Sequence, residues 1–485
     1  MRISLRRIVF VLILIFLLPF LTISIKAKTE SLTWPQFRGL NGCGISETTG
    51  LPLEFGPDKN VIWKTPLSEG HSSPVLTENH IFVTAVEGES LLTICLNRQD
   101  GRIIWQNKAP RPRKEKFDNR NNPASPSPVT DGKSVYVFFP DFGLLAYDIT
   151  GKELWRFSME PFDNMYGMGA SPILADDKVI LVCDQQTNSF IIAVNKKTGE
   201  EVWKTERPEA ISGHSTPITY NPEGQGTQIL VPGSFLLTSY SAETGNKIWW
   251  VGGLAFEMKS IPVIQNGILY INGYASHLNQ PDNQVKIPLF EDALIQYDKD
   301  KNGQLKKDEL PDNEPYGYFS FVDREHDGAL DTKDWSFFQA ALASLNGMLA
   351  IRLGGQGDMS ANNLVWHYRR SVPQLPSPLL YKNILFMIND GGIVTTFMPG
   401  NGEVVAQGRL SQAGSHFYSS LVAADDKVFI ISLRGVVTVL KPDGSLNILA
   451  QNNLNEQCYA TPAIADGKIY LRTVKTLYCF GLKSQ

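Results

Sequence analysis

The sequence predicts an all-β fold: an eight-bladed β-propeller closed by its own N-terminal strand, with a small helical module inserted in the fifth blade. Three observations predict it. A small residue followed by proline, at the head of an apolar strand, recurs along the chain. Each recurrence leads into short apolar runs joined by tight turns, Asp-Gly or Asn-Gly in several units. One stretch of about 70 residues breaks this grammar, and a loop of that length needs structure of its own.

At the N-terminus, Arg2, Arg6 and Arg7 precede an apolar run from Ile8 to about Leu21, followed by Ala27. This is the charged, apolar and small-residue order of a secretory signal, expected to span 1–27 and to be cleaved near Ala27. The run is long for that role and Ile25 is not small, so an uncleaved anchor that leaves the chain membrane-tethered is the other reading. Either way the body is expected outside the cytoplasm, periplasmic or extracellular. The first cysteine is Cys43, so no N-terminal lipid anchor is expected. Residues 28–59 form a leader segment containing "WPQFRGLNGCGISETTGLPLEF" (34–55).

The repeat fills 60–484. Its starts are "HSSPVL" (71–76), "SPSPVT" (125–130), "GASPIL" (169–174), "HSTPIT" (214–219), "KSIPVI" (259–264), "LPSPLL" (375–380), "FYSSLV" (417–422) and "YATPAI" (459–464), eight in all. Each unit closes on a Gly-containing turn and often a tryptophan, as in "LNRQDGRIIW" (96–105), "YDITGKELW" (147–155), "VNKKTGEEVW" (194–203) and "YSAETGNKIW" (240–249). The closings at 397–406 and 440–449 are degenerate. Four strands per unit is the grammar of a propeller blade. The last unit lacks a fourth strand, and a spare one, "NVIWKTPL" (60–67), precedes the first. The spare strand is expected to complete blade eight, which removes the exposed sheet edges. Without the insertion this leaves about 44 residues per blade, inside the usual propeller period of about 40–45. The tryptophans are expected to pack on the neighbouring blade and give their N–H to a backbone carbonyl.

The insertion, 275–345, carries "DKDKNGQLKKDE" from Asp298. Asp298, Asp300 and Asn302 stand at positions 1, 3 and 5, Gly303 at 6, Gln304 at 7, Lys306 at 9 and Glu309 at 12. Short oxygen-bearing side chains at alternate positions wrap a hard cation, glycine makes the sharp turn, position 7 supplies its carbonyl and a glutamate closes with two oxygens: the EF-hand pattern for Ca²⁺. A second loop offers Asp323, Glu325, Asp327, the Ala329 carbonyl, Asp331 and Asp334, with Gly328 at the turn. Glu325 is long for position 3 and Asp334 is short for position 12, so weaker calcium binding or tolerance of magnesium is expected there. Leu305 and Leu330 both stand at position 8, where paired loops join. Thirteen residues (310–322) separate the loops, so one helix must be truncated. Extracellular modules of this kind work at about 10⁻⁴–10⁻³ M calcium, which favours a permanently filled brace over a switch.

The "TG…W" closings resemble those of the pyrroloquinoline-quinone (PQQ) repeat proteins, and residues 34–55 resemble the leader of exported bacterial PQQ-binding-like propellers. The resemblance runs from about Trp34 to the C-terminus. It implies eight blades, each with a docking tryptophan, and two alternative tasks. The first is an exported, non-catalytic binding or assembly scaffold with a protein partner at a propeller face, analogous to the propeller lipoprotein of outer-membrane protein assembly. The alternative is a PQQ-dependent quinoprotein oxidoreductase acting on alcohols or sugars. Those enzymes use a funnel calcium, a catalytic aspartate and often adjacent cysteines. Here Cys43, Cys95, Cys183, Cys458 and Cys479 are scattered, no haem-attachment CxxCH occurs, and no motif places a catalytic carboxylate. The scaffold reading is preferred, with a monomer expected.

Three histidines lie near strand starts, His71, His214 and His416, and could line one mouth of the central funnel as a metal or anion site or as a polar rim. "RLGGQGD" (352–358) has no βαβ context and is not a dinucleotide fingerprint. The basic run 111–120 reads as a solvated loop. A net charge of −4 argues against nucleic-acid binding.

Overall fold

The computed structural model describes residues 32–411, 414 and 416–482; the signal expected over 1–27 lies outside them. Eight antiparallel sheets follow one another around a central channel. Blade 1 is Val75–Leu76, His80–Glu87, Ser90–Asn97 and Ile103–Ala109, counted from the channel outward. Blades 2, 3, 4, 6 and 7 repeat the same order, and blade 5 draws its third and fourth strands, Gly347–Arg352 and Leu364–Tyr368, from beyond the insertion. Blade 8 has Ala463–Ala465, Lys468–Arg472 and Thr476–Gly481 from the end of the chain and Val61–Pro66 from its beginning, paired antiparallel. The spare strand therefore closes the ring.

Burial follows strand position. The middle strands are mostly buried and apolar, as in Lys178–Cys183, because both faces pack on neighbouring blades. The fourth strands alternate inside and outside, as in Glu153–Ser158. In all eight blades the pairing of third and fourth strands slips by one residue next to the tryptophan position. Such a bulge re-aims the side chain beside it.

That re-aimed ring docks on the next blade. The indole N–H groups of Trp63, Trp105, Trp155, Trp203 and Trp366 donate to the carbonyls of Arg98, Ile149, Lys196, Ala242 and Pro399 at 2.8–3.1 Å. Each ring lies on the turn glycine of the blade it reaches: a Cβ on Gly199 would come 2.6 Å from Trp155, and the glycine φ is +75°. The glycine of one unit is thus required by the tryptophan of the unit before. Trp249 departs from the expectation. It is fully buried, and its N–H donates to Oε1 of Gln228 in its own blade, 3.1 Å away. The turn it would have met is the longer one at 353–363, whose Gly357–Asp358 adds a parallel fifth strand to blade 4.

A second device ties the inner strands together. The residue before the recurrent proline donates its N–H to the hydroxyl at the same place in the next blade: Ser73 to Ser127, Ser127 to Ser171 and Ser171 to Thr216, then Ser377 to Ser420, Ser420 to Thr461 and Thr461 back to Ser73, all at 2.9–3.1 Å. Ile261 occupies the position in blade 5. It donates to Ser377 at 2.9 Å but offers Thr216 no acceptor.

The leader crosses the far end of the channel. Trp34 bridges to Leu76 of blade 1, Asn41 exchanges hydrogen bonds with Thr219 of blade 4, and Arg38 donates to the carbonyls of Pro378 and Leu421. Ile45 pairs with Ala423 of blade 7. Phe55 is buried between blades 7 and 8, 4.8 Å from Phe480, beside a fourth strand that has Ala450 where others have tryptophan.

The insertion folds around Phe290, Leu305, Phe319, Leu330, Trp335 and Phe338. Helices Phe290–Tyr297 and Thr332–Ala343 flank a four-residue turn of helix at Phe319–Val322. It rests on the propeller through Phe321 and Phe337, packed on Ile211, Phe235 and Phe256 of blades 3 to 5.

Candidate functional site

The channel opens, on the face away from the leader, into a cavity of about 220 Å³. Phe37 of the leader is among the residues that line this cup. The belt of Ser and Thr hydroxyls forms the lower wall. Two residues before each belt position comes an upper ring, which includes His71, His214, Lys259, Tyr418 and Tyr459. The strand starts thus place their −2 side chains at the mouth.

His71 stacks on Tyr459 with ring centroids 3.8 Å apart and planes 11° from parallel; Tyr418 is 5.5 Å from Tyr459. His214 packs edge-on to Tyr166. Burial pushes both histidines down to about 4, helped at His71 by the Arg472 guanidinium, so both are neutral near pH 7. Nδ1 of His71 and Nε2 of His214 are buried without a hydrogen-bond partner. His416 stands two residues before the equivalent position, which Tyr418 occupies.

The basic run 111–120 is an irregular loop of half-buried and exposed residues whose arginines are tied down. Arg111 pairs with the fully buried Asp141 at 2.7 Å and Arg113 donates to the carbonyls of Pro140 and Met159. The run ends at the cup, where Arg120 pairs with Asp118 at 2.5 Å and lies over the Tyr166 ring. That hydrogen bond holds the Asp118 carboxyl low and raises Arg120. Across the mouth Lys259 pairs with Glu257, whose other oxygen accepts from Ser212 at 3.1 Å. Asp390 sits behind Gln374, accepting its N–H at 3.3 Å; its other oxygen is buried without a partner and burial raises the carboxyl. Lys259, Tyr418, Tyr459 and Asp390 were not singled out from sequence. The first three were findable, since they stand at the same offset from a strand start as His71 and His214.

The expected metal residues lie in the insertion, away from the cup. Asp298, Asp300 and Glu309 bring one oxygen each within 4.8 Å of one another, the one such cluster among the described residues. Asn302 donates its N–H to Asp298 and Asp300 at 3.2 Å, and its Oδ1 accepts from the Gln304 N–H at 2.9 Å. Gly303 turns at φ +81° and gives its N–H to Asp298. Glu309 accepts from Lys299 and Lys306 N–H groups, which lower its carboxyl. In the second loop Asp323 accepts from Asp327 and Gly328, and Asp331 caps the following helix reciprocally with Asp334. Burial pushes Asp334 up to about 7. Asp323, Glu325, Asp327, Asp331 and Asp334 are not gathered into a three-ligand cluster in this conformation. Leu305 and Leu330 face each other in a two-residue ladder that includes the Lys306–Ala329 pair.

An eight-bladed ring with indole-on-glycine docking and a closing N-terminal strand defines a PQQ-repeat β-propeller. A family model described as "Outer membrane protein assembly factor BamB" matches residues 55–187, 187–286 and 337–485, and the chain belongs to that family. Among solved structures, it is similar to BamB from Moraxella catarrhalis, 12% identical with a TM-score of 0.50, covering 82% of this chain and 96% of that one. It is also similar to a europium-containing methanol dehydrogenase, 11% identical with a TM-score of 0.56, covering 94% and 99%. A quinohemoprotein alcohol dehydrogenase from Pseudomonas putida HK5 is 12% identical with a TM-score of 0.56, covering 95% and 82%. At these identities the likeness shows the fold alone. No curated protein sequence matches the chain. Among the described residues no helix is long and apolar enough to cross a membrane.

Proposed function

We propose that the chain is an exported, non-catalytic propeller that serves as a binding and assembly scaffold with a protein partner at a propeller face, and that its insertion is an EF-hand pair braced by Ca²⁺. The observation that carries the scaffold reading is the family match, whose description names an assembly factor, over three stretches that omit most of the insertion. The donor set of the cup supports it. A quinone cofactor of the dehydrogenase type works with a calcium ion, yet the cup's carboxylates are dispersed: Asp118 is engaged by Arg120, Glu257 by Lys259, and Asp390 lies behind Gln374. The residues present therefore do not fit a calcium–PQQ pair. The alternative, a quinoprotein oxidoreductase acting on alcohols or sugars, draws on the buried, unpartnered Asp390 oxygen as a candidate base. Reconstitution with PQQ and calcium, followed by absorbance and dye reduction on alcohols and sugars, separates the two. Stoichiometric PQQ binding with turnover sinks the scaffold reading.

For the insertion, residues Asp298, Asp300, Asn302, Gln304 and Glu309 would hold the ion in the first loop. The fit rests on the convergent oxygens of Asp298, Asp300 and Glu309, a like-charged group in want of a cation. Lys306 Nζ, 2.5 Å from Asp300, takes part of that role. Calorimetric titration of wild type and Glu309→Ala is expected to show one site lost in the variant; an unchanged isotherm refutes the assignment.

A further inference from the structure

The face that carries the channel mouth is electrically lopsided. Where blades 1 to 4 reach it, Arg111, Arg113, Arg120 and Arg207 each meet a carboxylate at 2.5–2.7 Å, on Asp141, Glu115, Asp118 and Asp184. Over blades 5 to 7 the arginines are Arg369, Arg370, Arg409 and Arg434. Arg370, Arg409 and Arg434 are exposed and Arg369 is half-buried, and none forms an ion pair among the described residues. The connections that carry them, 369–377, 389–392, 409–418 and 432–435, hold one carboxylate, Asp390, which accepts the Gln374 N–H and faces His416, Lys259 and Arg120 instead. Asp425, Asp426 and Asp443 of blades 6 and 7 stand at turns of the opposite face, paired with Lys427, Lys382 and Lys441.

These arginines form one arc. Arg369 and Arg370 follow the last strand of blade 5, whose Tyr368 hydroxyl accepts from Gln407 of blade 6 at 3.0 Å, two residues before Arg409. Arg409 donates to the Gly391 carbonyl. The next residue, Gly392, lies against the Gly414 carbonyl, and Gly414 against the Arg434 side chain, where a Cβ would come 3.2 Å from its Cδ. Beyond Arg434 the arc ends at Glu456, which turns away to accept the Lys475 N–H at 2.6 Å. In a chain of net charge −4, such a sector is a local field of the opposite sign.

The arc spans three blades and lies outside the channel cavity, so it suits an extended ligand. Guanidinium forks match carboxylates bidentately. No large apolar side chain of these connections is exposed to anchor in a bilayer. The insertion stands on the same face, packed on Ile211 and Phe256, and leaves room for a chain segment beside it but not for a flat membrane.

We propose that the arc is the docking surface for an acidic segment of a partner protein. This rests on the scaffold reading and names the chemistry of its partner and the sector of the face that the partner meets.

Fluorescence anisotropy of a labelled poly-glutamate peptide, titrated with the purified chain in calcium, tests this. Poly-lysine, polyphosphate and phosphatidylglycerol vesicles are run beside it. The peptide is expected to bind, and more weakly as salt rises to about 0.15 M. Arg370→Gln/Arg409→Gln/Arg434→Gln, checked by thermal unfolding, weakens it by about tenfold, the sum of several exposed pairs. Lys133→Gln/Lys152→Gln/Lys197→Gln removes the same charge from the opposite face and stays within about twofold. If the arginine variant does not fold, Arg370→Gln alone replaces it, with a loss of about threefold. No binding of the peptide overturns the proposal, as does equal loss in the two triple variants. Tighter arc-dependent binding of polyphosphate or of the vesicles also overturns it and gives the arc to that ligand. PQQ turnover on reconstitution sinks the scaffold reading whatever the peptide does, whereas a chain that takes neither PQQ nor peptide keeps that reading and loses this one.

Discussion

Trp155 and Gly199 show how a single pair can define a blade interface. The ring covers a glycine that has no room for a Cβ, and its N–H takes the Lys196 carbonyl. Trp155→Ala is expected to cost about 3–5 kcal/mol, the usual range for removing a large buried aromatic, measured by urea unfolding. Gly199→Ala is expected to destabilise through both the close approach and the left-handed backbone. In Trp155→Ala/Gly199→Ala the steric part is relieved, so the double variant is less damaged than the sum of the singles. The bulge that aims each ring also explains the exposed apolar side chains Ile62, Ile104, Leu154, Val202, Val365, Val405 and Leu449, each directly before a docking position. At the cup, the two buried histidines carry a pH signature. Their folded values near 4 lie below the ordinary 6.5, so the unfolded chain binds more protons between those limits. Stability is fully present above about pH 6.5 and falls as pH drops towards 4, by at most roughly 3 kcal/mol per ring. The His71→Gln/His214→Gln variant is expected to lose that part of the slope of unfolding free energy against pH.

The hydroxyl belt and the insertion act at the scale of elements. Ser127→Ala strips the acceptor from the Ser73 N–H inside the ring, at an expected cost of about 1–3 kcal/mol for a buried unsatisfied donor, read from the unfolding midpoint. The blades, the closing strand and the indole contacts were legible in the sequence because each rests on local signals: Asn-Gly and Asp-Gly turns, alternating strands, and a Trp four residues after a Gly. The eight starts were legible too, but not why serine or threonine precedes the proline. That reason lies in the adjacent blade, some 40 residues away, and no local rule reports it. The leader's path was hidden for the same cause: Trp34, Arg38, Asn41 and Phe55 have partners on blades 1, 4, 6, 7 and 8. The reading of 111–120 as a solvated loop missed that its arginines pair with Asp141, Glu115 and Asp118, while Lys114 and Lys116 stay exposed. Trp249 kept the motif and lost the contact because the next turn had been lengthened.

Taken whole, the ring is not uniform. Between blades 4 and 5 it lacks both ties, the indole-on-glycine contact and the belt hydroxyl at Ile261, and the insertion packs Phe321 and Phe337 across the loops of blades 3 to 5 at that seam. The ends of the insertion meet at the propeller, where Ala275 donates to the Asn346 side chain at 2.8 Å. Joining Tyr274 to Asn346 through a short Gly-Ser link is expected to give a folded propeller. Its earliest hydrogen exchange should lie on the strands of blades 4 and 5; uniform exchange around the ring would show that the insertion is no clasp. The leader has a further consequence, one of order in time. Thr48 binds Gly467, Val61–Pro66 pairs with the final strand, and Ser73 closes the belt with Thr461. Part of the seat of these opening segments thus exists only once the last blade does. Contacts of such separation in sequence form slowly. The closing strand is therefore the last part to be seated, and a chain halted before its final blade leaves Val61–Pro66, Thr48 and Ser73 without these partners.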